Sequence, residues 1–189
     1  MPKLRKPTKA DISAVLSNDV AMRKYRNQTI ISTITMPRKT TSAKKEKAND
    51  RFAAANQWAK VTLMEPGVKE LYSKGINSKL SNAHTVAVQD YLNPPTIHYI
   101  SLKQHTGAIG DKIRIKATDD FQVIAVDVRI TDKTGKELEK GPAARYKRKP
   151  MMWIYTLTVA NREVDGTVIE VTAMDRPGNK VVKEEKIAS

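Results

Sequence analysis

Two periodicities divide this chain. Between residues 43 and 92 apolar side chains recur at three- and four-residue steps, and beyond Pro95 they recur at every second position. The stretch "AKKEKANDRFAAANQWAKVTLM", residues 43–64, holds no Pro or Gly, is rich in alanine, and sets Phe52, Ala55, Ala59 and Leu63 in one stripe with Trp58 beside it. It predicts a helix of about five or six turns. Pro66, where a missing N–H costs little, opens a short second helix through Val68, Leu71 and Tyr72 that Gly75 ends. Asn82 is the expected N-cap of a third helix, "AHTVAVQDYL", and the "NPP" that follows must stop it, because proline disfavours a helical residue before it.

After the double proline, Ile113, Ile115 and Ala117 alternate with polar neighbours, as do Ile124, Val126, Val128 and Ile130, and then Ile169, Val171 and Ala173. Strands are expected at 97–103, 112–118, 123–131, 136–139, 152–159, 167–174 and 180–187. Seven short strands with turn signals between them predict an antiparallel β-sandwich. "DKTG" at 132–135 reads as a hairpin turn, and so does Asp175-Arg176-Pro177-Gly178-Asn179, where proline fixes φ and Gly-Asn supplies the reversal. Ahead of the helices, residues 20–25 and the β-branched "TIISTITM" at 29–36 predict a β-hairpin closed at Asn27, followed by a basic loop after Pro37. The fold class is therefore α+β: a basic arm and hairpin over 1–42, a small three-helix unit over 43–95, and a sandwich over 96–189.

The run "KIRIKATDDFQVIAVDVRITDKTGKELEKG", followed by "WIYTLTV" and "GTVIEVTAMDRPGNKVVKEEKI", resembles the bacterial immunoglobulin-like domains. In that family a strand ending in Ala-x-Asp, a Gly-Asn turn and a last strand close the sandwich. The resemblance covers about half the chain and implies a scaffold whose members serve many functions, most of them not catalytic. The amino-terminal half, with Phe52, Ala55, Ala59 and Lys60 on its first helix, is similar to uncharacterised bacterial proteins in which a hairpin precedes such a helix. That second resemblance implies no activity.

Charge alters the picture more than composition does. The formal net charge is +14, with twelve Lys or Arg against four acids in residues 1–50 alone, which favours polyanionic partners. The absence of cysteine excludes disulfides and thiolate metal sites. No apolar run of signal-peptide length follows the basic start and none reaches the roughly 20 residues of a membrane span, so a cytoplasmic protein without a membrane span is expected.

Catalytic signatures are missing: there is no nucleophile elbow, no phosphate-binding glycine loop, and His84, His98 and His105 do not stand at ligand spacing. Asp119, Asp120, Asp132 and Asp175 fall at strand ends and could gather around a hard cation, but turn chemistry explains each of them. No metal, cofactor or enzymatic activity is therefore assigned. The functional candidates are basic: Arg23, Lys24 and Arg26 around Tyr25, then Arg38, Lys39, Lys44 and Lys45, and the "RYKRK" run with Arg145, Lys147, Arg148 and Lys149 around Tyr146. Such clusters neutralise phosphates while the ring stacks on a base. The expected function is a non-catalytic structural or interaction protein that presents sandwich loops and a basic surface to a protein partner. The alternative is a nucleic-acid-binding or other polyanion-binding protein using the basic N-terminal segment and the 145–149 loop.

Overall fold

A computed structural model of the chain describes residues 20–25, 28–33 and 42–187. The chain separates into two compact units, Met1–Glu46 and Lys47–Ser189. In the first, strands β1 (Val20–Tyr25) and β2 (Gln28–Thr33) pair antiparallel, with Tyr25 opposite Gln28. The hairpin's turn residues Arg26 and Asn27 lie outside the described residues.

Helix α1 (Ala43–Thr62) follows the alanine-rich stretch, and its Ala55 and Ala59 are fully buried. The stripe does not extend to Phe52, which is 54% exposed, because the cover given by the next two helices begins at Ala55. Helix α2 (Pro66–Ser73) starts on its proline and helix α3 (Ala83–Leu92) on its asparagine. Asn82 accepts from the Thr85 amide at 2.9 Å while the Thr85 hydroxyl oxygen accepts from the Asn82 amide at 3.3 Å, so two orphan donors of the first turn are satisfied reciprocally. Tyr72, Val86 and Ala87 complete the helical core with Ala55 and Ala59.

The period-two segments form strands β3 (Thr96–Gln104), β4 (Lys112–Thr118), β5 (Val123–Thr131), β6 (Glu137–Pro142), β7 (Ala144–Arg145), β8 (Met152–Thr156), β9 (Val168–Asp175) and β10 (Lys180–Lys186). They make two antiparallel four-stranded sheets, β3-β4-β8-β7 and β10-β9-β5-β6. Lettered in chain order, these are A-B-E-D and G-F-C-C′, the strand order of an immunoglobulin-like sandwich. Alternation on β9 runs without interruption, with Ile169, Val171, Ala173 and Asp175 buried and their neighbours half-buried. The inner faces meet in one core that includes Ile113, Ile115, Trp153, Val128, Ile130 and Val171.

Strand β7 has no counterpart in the sequence pattern, since two residues carry no periodicity. It exists because the chain changes sheets at Ala143, whose amide donates to Val126 O at 2.7 Å before Ala144 pairs with Ile154. Strand β8 stops at Thr156, short of the expected 159, because the Thr158 amide and hydroxyl both donate to Glu139 Oε2, at 3.0 and 2.7 Å. Gly135 and Gly178, at φ of +86° and +95°, take the left-handed conformation that the two turns require. Among the described residues no helix is long and apolar enough to cross a membrane.

Candidate functional site

Burying Ile113, Ile115 and Ala117 of β4 forces Lys112, Arg114 and Lys116 onto the opposite face of the sheet. The register lines that face with partners: Tyr99 of β3 and Met152 of β8 flank Lys116, while Ser101 and Ile154 flank Arg114. The Tyr99 hydroxyl donates to Met152 Sδ at 3.4 Å, which steadies the ring over the sheet. The chain between β7 and β8 folds back beside it, because Tyr146 N donates to Met152 O at 2.8 Å and Lys149 N to Tyr146 O at 3.0 Å. A groove of about 910 Å³ results, lined by Tyr99, Lys103, Lys112, Arg114, Tyr146 and Lys149 over an apolar floor that includes Met152 and Ile154. Among the described residues no carboxylate lines it. Two rings, 43% and 38% exposed, thus stand among four cations.

Of the residues expected to contact a polyanion, Lys149 lines this groove, and Lys147 and Arg148 are exposed in the same turn. Arg145 is engaged within the fold: its guanidinium lies 4.8 Å from the centroid of the Trp153 ring and donates to Val123 O. Lys44 and Lys45 are exposed in the first turn of α1. Arg23 and Lys24 belong to β1, while Arg26, Arg38 and Lys39 lie outside the described residues. Tyr99, Lys103, Lys112 and Arg114 are not among the residues expected from the sequence. Their signal was present, since an alternating strand whose polar positions read Lys-x-Arg-x-Lys must show a cationic row on its outer face.

A second concentration of chemistry lies where the helices meet the sandwich. Asp90 from α3, Asp119 just after β4 and Asp175 at the end of β9 place ligand-type oxygens within 4.8 Å of one another. Asp90 and Asp175 are fully buried. Tyr72 Oη donates to Asp90 Oδ2 at 2.5 Å, Gln122 N to Asp119 Oδ2 at 3.1 Å, and Asn179 N and Nδ2 to the two oxygens of Asp175 at 2.6 and 2.7 Å. Burial pushes the Asp90 carboxyl up to about 7; the Tyr72 hydroxyl opposes it, while the hydrogen bond that the protonated group makes with Asp119 and the charges of Asp119 and Asp175 add to it. Burial likewise raises the Asp175 carboxyl and the Tyr72 phenol.

Of the four carboxylates noted at strand ends, the fold gathers Asp119 and Asp175 but not the others. Asp120 accepts from Gln89 and Asn93, and Asp132 holds its own turn through Thr134 and Lys136. The third member of the cluster, Asp90, sits on a helix, where no sequence spacing relates it to the strand ends.

No family model matches the sequence, and no curated protein matches it. Solved structures similar to part of it include the following two. CopC from Methylosinus trichosporium OB3b is 18% identical with a TM-score of 0.38, over 49% of this chain and 89% of that one. An engineered protein is 17% identical with a TM-score of 0.36, over 50% of this chain and 20% of that one. Neither likeness assigns an activity or a ligand, and neither carries the resemblance read in the amino-terminal half. What the chain itself displays is an α+β protein whose immunoglobulin-like sandwich carries a cationic, tyrosine-lined face.

Proposed function

We propose that this is a non-catalytic binding protein that captures an anionic partner in the groove on the outer face of β3-β4-β8-β7. The observation that carries the reading is the lining itself: Lys103, Lys112, Arg114 and Lys149 around Tyr99 and Tyr146, with no acid among the described residues that line it. Cations held on a sheet are positioned before the partner arrives, so less ordering entropy is lost on binding than with a free tail. Among the described residues the lining holds neither a histidine nor a carboxylate beside Ser101.

An acidic protein surface satisfies the charge, and a single-stranded nucleic acid satisfies both charge and rings. The exposed Tyr99 and Tyr146 favour the second reading specifically, because an aromatic among cations stacks on bases while lysines neutralise phosphates. The test is direct binding of the full chain to a fluorescent single-stranded oligonucleotide and to an acidic peptide at about 0.1 M salt, where exposed charges still act over about 10 Å. Affinity should fall linearly in log–log terms with salt, and Lys112→Glu with Lys149→Glu should weaken it by about tenfold or more. Tyr99→Ala should weaken oligonucleotide binding and spare the peptide. Absence of binding to either ligand at that salt would sink the proposal.

A further inference from the structure

From the aspartate cluster at the junction of helices and sandwich, we infer a binding site for a hard divalent cation, calcium, held by Asp90, Asp119 and Asp175. Three carboxylates on three separate elements converge so that their ligand oxygens lie within 4.8 Å, no more than twice a calcium–oxygen distance of about 2.4 Å. One ion can touch all three. Convergence of acids alone would be insufficient, and a separate observation points to an occupant. Asp90 is wholly buried, yet its Oδ1 receives no hydrogen bond, and neither does the buried Oδ1 of Asp119 beside it.

Elsewhere in the cluster donors are supplied with care: Tyr72, Gln122 and Asn179 saturate the other oxygens. Two buried carboxylate oxygens that no donor reaches are costly unless a positive group sits beside them. All the donors are oxygens, with no sulfur or imidazole, which selects an oxygen-seeking ion over zinc or copper. Calcium suits the site better than magnesium because its irregular shell tolerates ligands fixed by a helix and two strand ends. The ion would tie α3 to both sheets, fastening the helical unit to the sandwich. This site is separate from the cationic groove and stands or falls independently of it.

Chelator-treated full-length protein, titrated with calcium and then with magnesium, provides the test. Calcium at about a hundredfold its Kd should raise Tm by roughly 5–10 °C. Terbium placed in the site should emit on excitation of Tyr72 and Trp58, whose rings are 6.2 Å apart, and calcium should quench that emission by displacement. Asp90→Asn and Asp119→Asn keep the shape of the cluster and should each abolish both responses. The rival occupant is a proton shared between Asp90 and Asp119. A wild-type chain indifferent to calcium and terbium overturns the inference, as does a magnesium response without a calcium one. Asn variants that keep both responses would overturn it as well. Asn variants more stable than an unresponsive wild type would identify the proton in its place.

Discussion

At the scale of single residues, the fold places polar side chains in apolar ground in a few places, and His105 is one that governs a measurable property. Both of its ring nitrogens are buried without a hydrogen-bond partner. Desolvation therefore holds its pKa below the usual histidine value, against weaker opposite pulls from Asp111 and Glu139. The sign follows from proton counting: near pH 6.5 and below, the unfolded chain takes up a proton that the folded chain resists, so stability falls as the pH drops through that range. Melting temperatures of the wild type and His105→Leu between pH 7.5 and 5.5 check this, since every other titrating group is common to both. The wild type should lose more stability on acidification than the variant does. His105 was visible in the sequence as a histidine outside any ligand pattern; its unpartnered state was not, because burial of a loop residue depends on distant neighbours.

Elements were the most legible scale. Strand boundaries at 112–118 and 123–131 are as expected, because each strand buries one face against a single core, but the alternation fails at Ile124, which the register shift between Val123 and Ala125 turns outward while Val123 is buried in its place. The start of α3 was equally plain, and its cap yields a prediction. Asn82→Ala removes the side-chain acceptor for Thr85 N and dissolves the reciprocal pair, so it should cost about 1 kcal/mol in urea denaturation with an unchanged m-value. Restoring an acceptor with Asn82→Ser should recover most of the loss. Where legibility failed, a tertiary contact decided: β7 was drawn out by a sheet change at Ala143, and Phe52 was left exposed where neighbouring helices do not reach.

For the molecule as a whole, the question is how the helices and the sandwich hold together within residues 47–189. Phe121, from the turn after β4, leaves the sandwich core and stacks on Tyr72 with ring centroids 4.5 Å apart. Gly75 lets it approach, since an added Cβ there would sit 2.8 Å from Val86 Cγ1 and 3.1 Å from the Phe121 ring. Asn179 Nδ2 reinforces the seam by donating to Tyr91 O at 3.1 Å. Phe121→Ala should cost about 2–4 kcal/mol and loosen the coupling between helices and sheets. Helical far-ultraviolet signal and the near-ultraviolet signal of Trp153 should then melt at separate temperatures, whereas the wild type loses both together. Coincident transitions in the variant would show that the seam rests on other contacts.

The sequence alone determined the two periodicities, the caps, the glycine turns and the excess of positive charge, because each follows from interactions between residues close along the chain. An immunoglobulin-like sandwich was implied by resemblance, whereas the pairing of its strands into A-B-E-D and G-F-C-C′ came only with the register. Tertiary structure decided the rest. It set Lys103, Lys112 and Arg114 beside the expected Lys149, and it brought Asp90 to Asp119 and Asp175 across gaps of 29 and 85 residues in the numbering. No local pattern encodes such meetings, since they depend on which faces two sheets and three helices bury against one another.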